Sequence, residues 1–191
     1  MRSTSDTVAA IGLAVGGALG MAGAFVASDA LRETLWTIDG VGVVVAAALL
    51  TLKYQRLGND LVAAGFLTFL AGESLLLAGN AAGLEASVPS YVGGICLWAA
   101  GLVMVSAQAT FALWMRLTAF VAALLFAVSV LMILWGAREQ FQQKCAAVLR
   151  PELRTNKRDF LPTSAPLPAA GYPFLVLTLI GWIWTLMKSE R

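Results

Sequence analysis

The chain has 191 residues, of which 59% are hydrophobic and only 13% charged, against about 45–50% and about 25% in a typical soluble domain. Thirteen Lys+Arg against eleven Asp+Glu leave a net charge of +2, too balanced to argue for a nucleic-acid partner. No histidine occurs and only two cysteines do, which argues against histidine-ligated haem, di-iron or zinc chemistry and leaves too few thiolates for a zinc or iron–sulfur site; no metal or cofactor is expected.

Six stretches approach the roughly 20 apolar residues that cross a bilayer's hydrocarbon core. They are 7–27, 34–52, 60–82, 91–113, 117–136 and 169–187. Lipid cannot satisfy backbone N–H and C=O groups, so runs of this kind are expected to be helices. The predicted fold is all-α. It is a polytopic integral membrane protein, a single membrane domain over 1–191 in which six transmembrane helices form one bundle.

The first run follows Met1–Asp6. At about 21 residues it exceeds the h-region of a secretory signal, about 7–15 residues, and is expected to stay as the first span. Gly12, Gly16 and Gly20 recur every fourth residue, followed by Ala24. A stripe of small residues lets another backbone approach closely, either a neighbouring helix of the bundle or a second copy of the chain.

The charged connector SDALRE (28–33) leads to the second span, and the basic KYQRLGN (53–59) joins it to the third. Each of these two spans carries one acid in its interior: Asp39 in TLWTIDGVGVVV and Glu73 in AGESLLLAGN. Ionisable residues inside spans are rare and by default suggest function. Both acids lie 17 residues from Arg56, one before and one after. In an antiparallel hairpin equal offsets mean equal depth, roughly 4–6 Å from mid-span on the same side. Two carboxyls at one depth on adjacent helices are placed to share a proton, and no Lys or Arg lies inside any span to neutralise them. The structural alternative is a neutral Glu73 hydrogen-bonded to Ser74, Thr68 or a backbone carbonyl.

GLEASVPS (83–90) carries no basic residue. In the fourth span, Gln108 between Ser106 and Thr110 reads as an interhelical hydrogen-bonding residue. Gly65 and Gly72 in span three, with Gly94 and Gly101 in span four, read as further packing positions. Trp114-Met115-Arg116 is the expected break before span five.

Beyond span five, Phe141, Cys145, Val148 and Leu149 repeat at helical spacing on an otherwise polar stretch. This predicts a basic amphipathic helix lying at the interface before the last span, with Lys144 and Arg150 on lipid headgroups. Pro151 ends it, and Pro162, Pro166, Pro168 and Pro173 are expected to hold the chain extended into span six. Cys96 and Cys145 fall on one side of a six-span arrangement; independent thiols are expected, a disulfide being the alternative. Trp36, Trp114 and Trp135 fall at span ends, as interfacial rings do; Trp98, Trp182 and Trp184 lie deeper and read as packing.

Four of the five short connectors, judged by their Lys and Arg, favour both termini in the cytoplasm; the long basic connector 137–168 dissents. No phosphate-binding loop, dinucleotide fingerprint, nucleophile elbow or metal motif is present. With no nucleophile–base pair either, an enzyme is not expected. Two functions are. One is a proton-linked transporter or permease-like protein of the cell membrane that uses Asp39 and Glu73. The other is a non-catalytic accessory or assembly subunit of a membrane complex. The expected partners are the lipid bilayer and a second copy or another membrane protein.

Overall fold

The computed structural model of the chain describes residues 3–82, 84–149 and 166–188, with side chains in these ranges apart from 81–88, 137–149 and 166–170. Six α-helices occupy them: α1 (Thr4–Phe25), α2 (Asp29–Arg56), α3 (Asp60–Ala82), α4 (Leu84–Ala107), α5 (Leu113–Leu149) and α6 (Pro166–Lys188). All six are long and apolar enough to cross a membrane. Among the described residues each helix packs on its neighbours in sequence, and α6 returns to pack on α1. The helices therefore form a closed ring.

Large side chains fill the middle of the ring. Tyr54, Phe66, Phe111 and Trp182 meet at one level, with Phe66 and Trp182 edge-on at 4.7 Å between centroids. Phe69, Trp98, Phe126 and Tyr172 meet at the next, with Phe69 stacked on Trp98 at 5.2 Å. Phe69 against Trp182 joins the two levels. Outward positions are just as apolar: Ile11, Val41, Leu67, Leu124, Leu131 and Ile180 are all exposed. Apolar surface of that extent is what a helix bundle presents to lipid.

Glycine sets the closest approaches. The Cα of Gly65 faces the carbonyl of Gly101 and that of Gly101 faces the carbonyl of Gly65; Gly72 and Gly94 are paired in the same way. Seven-residue spacing on both antiparallel helices keeps the two crossings on one seam, so α3 and α4 touch backbone to backbone. On α1, a Cβ at Gly12 would lie 2.5 Å from the Gly42 carbonyl oxygen of α2. The α1 stripe is thus engaged within the chain.

Polar contacts tie one face of the ring. The α2–α3 turn closes with Gly58 N–H donating to Gln55 O and Asn59 N–H to Tyr54 O, around Gly58 at φ 70°. This is the paired C-terminal cap that a left-handed glycine permits. The Asn59 side chain then accepts from Val62 N–H at 3.3 Å, capping α3, and donates to Thr110 at 2.6 Å. Lys53 pairs with Asp6 at 2.9 Å, and Arg116 donates to the last carbonyls of α4, Ser106 and Ala107.

The boundaries differ from expectation at several places. The break between the fourth and fifth helices falls at 108–112, not at 114–116. Trp114, Met115 and Arg116 belong to the first turn of α5, because Arg116 is used to cap the preceding helix. Gln108 consequently lies just past the end of α4 and outside its span. The charged connector 28–33 is almost wholly helical, capped by Ser28. Helix α4 runs through Pro89, and α6 starts at Pro166 and holds Pro168 and Pro173. Pro166, Pro168 and Pro173 were expected to keep the chain extended. Pro166 and Pro168 stand in the first turn of α6, which has no intrahelical N–H bonds to lose; Pro89 and Pro173 lie past the first turn of their helices, where each removes one backbone donor. Helix α5 continues without a break past Gly136 to Leu149, 37 residues in all, or about 55 Å. The side chains behind the amphipathic reading, Lys144, Cys145 and Arg150 among them, lie outside those described.

Candidate functional site

Asp39 and Glu73 are both buried, at 7% and 5% exposure. They lie roughly 14–15 Å from the same end of α2 and α3, counted at 1.5 Å per residue. Both line one small cavity inside the ring, whose volume open to a water's centre is ≈ 10 Å³. Its other walls are Gly16 and Gly17 of α1, Val43 of α2, Phe69 of α3, Trp98 of α4, and Tyr172, Leu175, Val176 and Leu179 of α6. No Lys or Arg lines it.

Small residues make room for the carboxyls. A Cβ on Gly20 would stand 2.5 Å from Asp39 Oδ2 and 3.2 Å from Tyr172 Cε1, and one on Gly16 would stand 3.1 Å from Asp39 Oδ1. The stripe of α1 therefore accommodates the backbone of α2 at Gly12 and the acid of α2 at Gly16 and Gly20. Gly40, next to Asp39, does the same for the other acid, since a Cβ there would be 2.7 Å from Glu73 Oε1. Glu73 is close enough to Asp39 to feel its charge, and Tyr172 is within reach of both acids.

Hydrogen bonding at the site is incomplete. Glu73 Oε2 and Trp98 Nε1 are fully buried, and neither has a hydrogen-bond partner of ordinary geometry. The indole nevertheless sits near enough to interact with the Glu73 carboxyl. Its Cδ1 edge lies over Gly72, where a Cβ would be only 2.8 Å away. Thr68 and Ser74 do not serve Glu73. Thr68 donates to Ala64 O at 2.8 Å, and the exposed Ser74 donates to Leu70 O at 3.0 Å. A hydroxyl in a helix readily returns to the carbonyl one turn back. Gln108 is not part of the site. Thr110, its near neighbour, bonds Asn59 on the opposite end of the bundle.

Tyr172, Trp98 and Phe69 join the acids although sequence reasoning did not assign them there. Tyr172 lies close to the start of the sixth predicted span, on the same side of mid-membrane as both acids, and that depth was a usable signal. Its rotation toward α1 was not. Cys96 is exposed on the outside of α4, away from the site.

Compared with protein-family models, curated proteins and solved structures, the chain matches none.

Proposed function

We propose that this chain is a multi-pass cell-membrane protein that handles protons, a small proton-linked transporter in which Asp39 and Glu73 form the proton-binding site. The observation carrying this reading is the convergence of the two acids in the span interiors on one cavity with no cation among its lining residues. Burying a lone charge in a low-dielectric interior is far more costly than burying a hydrogen-bonded neutral acid. Two such groups at one place make proton occupancy the variable the site can change. Both termini are cytoplasmic in this proposal, by the Lys and Arg of the short connectors. The segment 137–168 is then external, with Lys144 and Arg150 at lipid headgroups.

The cavity admits about one water, and aromatic rings fill the interior on its inner side. Nothing larger than a water or a small ion fits there in this conformation. That observation favours the second reading, a non-catalytic accessory or assembly subunit whose acid pair is structural.

The test is carboxyl infrared difference spectroscopy on protein in lipid, taken through a pH titration. A protonatable pair gives a carboxyl band that titrates in the parent, disappears in Glu73→Gln, and changes its midpoint in Asp39→Asn because one of two interacting sites is gone. Proton flux into liposomes, followed with an internal pH dye, is lost in Glu73→Gln if the site cycles. A Glu73 carboxyl that never titrates rejects the proton-handling reading and leaves the accessory one.

A further inference from the structure

Two buried polar groups without a hydrogen bond of ordinary geometry belong to residues that line one cavity. Glu73 Oε2 is an acceptor and Trp98 Nε1–H a donor. Each belongs to a residue only 5% exposed, and both residues line the same space. Buried polar atoms are satisfied in more than about nine cases in ten; here the indole stands near the Glu73 carboxyl without reaching it in ordinary hydrogen-bond geometry, a gap that a bridging group closes. They belong to different residue types on different helices, α3 and α4, and neither is explained by local strain at a helix end.

The chemistry of the two orphans selects the ligand. An indole N–H can only donate, so it disfavours a bare cation, which can accept nothing. A carboxyl oxygen disfavours an anion. A group that accepts from Trp98 and donates to Glu73 must be amphiprotic. The room available, ≈ 10 Å³ open to the ligand's centre, matches about one water. Asp39 lines the same space and offers the further partner that a buried water needs, since such waters make about three hydrogen bonds.

We infer that the cavity is a binding site for a single structural water, which accepts from Trp98 Nε1–H and hydrogen-bonds Glu73 Oε2 and Asp39, donating to an ionised acid and accepting from a protonated one. The water makes the two acids one hydrogen-bonded unit. It takes a proton from one protonated carboxyl while passing one of its own to the other carboxylate, so the proton changes sides and the water is regenerated. Trp98 is a positioning residue: it occupies one lone pair of the water, leaving the other to accept from the protonated acid and a hydrogen to donate to the ionised one. The role given to the proton rests on the function proposed above; the water site itself does not.

Infrared difference spectra in H₂¹⁶O and H₂¹⁸O test this in the full-length protein in lipid. The parent should show a sharp O–H stretch that shifts with the oxygen isotope. Trp98→Phe removes the donor while keeping a ring on Phe69, and it should lose that band. Glu73→Gln is isosteric and keeps the fold, and it should move the band because the acceptor has changed. Circular dichroism establishes that each variant holds the parent's helix content. A parent without an isotope-sensitive band overturns the proposal. So does a band unmoved in Glu73→Gln, or one retained in folded Trp98→Phe. The carboxyl titration is read separately in the same samples. A water band with no titrating carboxyl would reject proton handling and leave the water site standing, and the reverse result would do the opposite.

Discussion

Gly94→Ala, set against Gly93→Ala, tests whether α3 and α4 are held in backbone contact. Both positions lie inside α4, so both substitutions gain the same helix propensity, about 0.8–1.0 kcal/mol in water. Their surroundings differ. A Cβ on Gly93 meets Leu75 Cδ1 at 3.5 Å, an ordinary contact. A Cβ on Gly94 meets the Gly72 carbonyl oxygen at 2.9 Å and Leu76 Cγ at 2.7 Å. The carbonyl belongs to the α3 backbone and cannot rotate away, so the helices must part by about 0.5 Å to reach an ordinary 3.4 Å contact. Such a gap forfeits about a quarter to a half of each neighbouring atom pair's 0.1–0.2 kcal/mol. Over the tens of pairs at a helix crossing that amounts to on the order of 1–2 kcal/mol, within the range of about 1–3 kcal/mol for overpacked cores. Gly94→Ala should therefore be less stable than Gly93→Ala by about 1–3 kcal/mol, roughly 5- to 150-fold in the folding equilibrium. Reversible unfolding in mixed micelles, followed by circular dichroism, measures the difference. Adding Gly72→Ala to Gly94→Ala should cost less than its effect alone, because one separation accommodates both methyls. Equal stability of the two single variants, or strict additivity of the double, would refute the close crossing.

Gly20→Ala should disturb the acid pair without touching it chemically, since the new methyl would stand 2.5 Å from Asp39 Oδ2. The Asp39 carboxyl band should shift in Gly20→Ala and stay in place in Gly17→Ala, whose methyl meets only Leu179 and Val176 at 3.6–3.9 Å. For topology, Cys145 in a Cys96→Ser background should react with a membrane-impermeant maleimide in intact cells. Labelling confined to broken cells would reverse the orientation.

Depth and periodicity are one-dimensional properties, and the sequence determined them. Six apolar runs gave six helices, and the equal offsets of Asp39 and Glu73 from Arg56 gave their common level, because helical rise converts residue count directly into distance. The glycine pairs Gly65/Gly101 and Gly72/Gly94 were also open to reading, since antiparallel neighbours match positions whose numbers have a constant sum. Other features required contacts between distant residues. The closure of α6 onto α1 brings Tyr172 to Gly20 and to both acids, and no local pattern encodes it. The break at 108–112 depends on Arg116 reaching back to the carbonyls of α4, which hydropathy alone does not register in an apolar stretch. The rotation of each helix about its axis was likewise decided only in three dimensions. Nearly every face of these helices is apolar, so the usual contrast between a wet face and a dry one is missing. What turns Glu73 inward and Ser74 outward is the seating of Gly72 on Gly94 and of Trp98 on Phe69, a fit of shapes between helices that hydrophobicity along one helix does not contain.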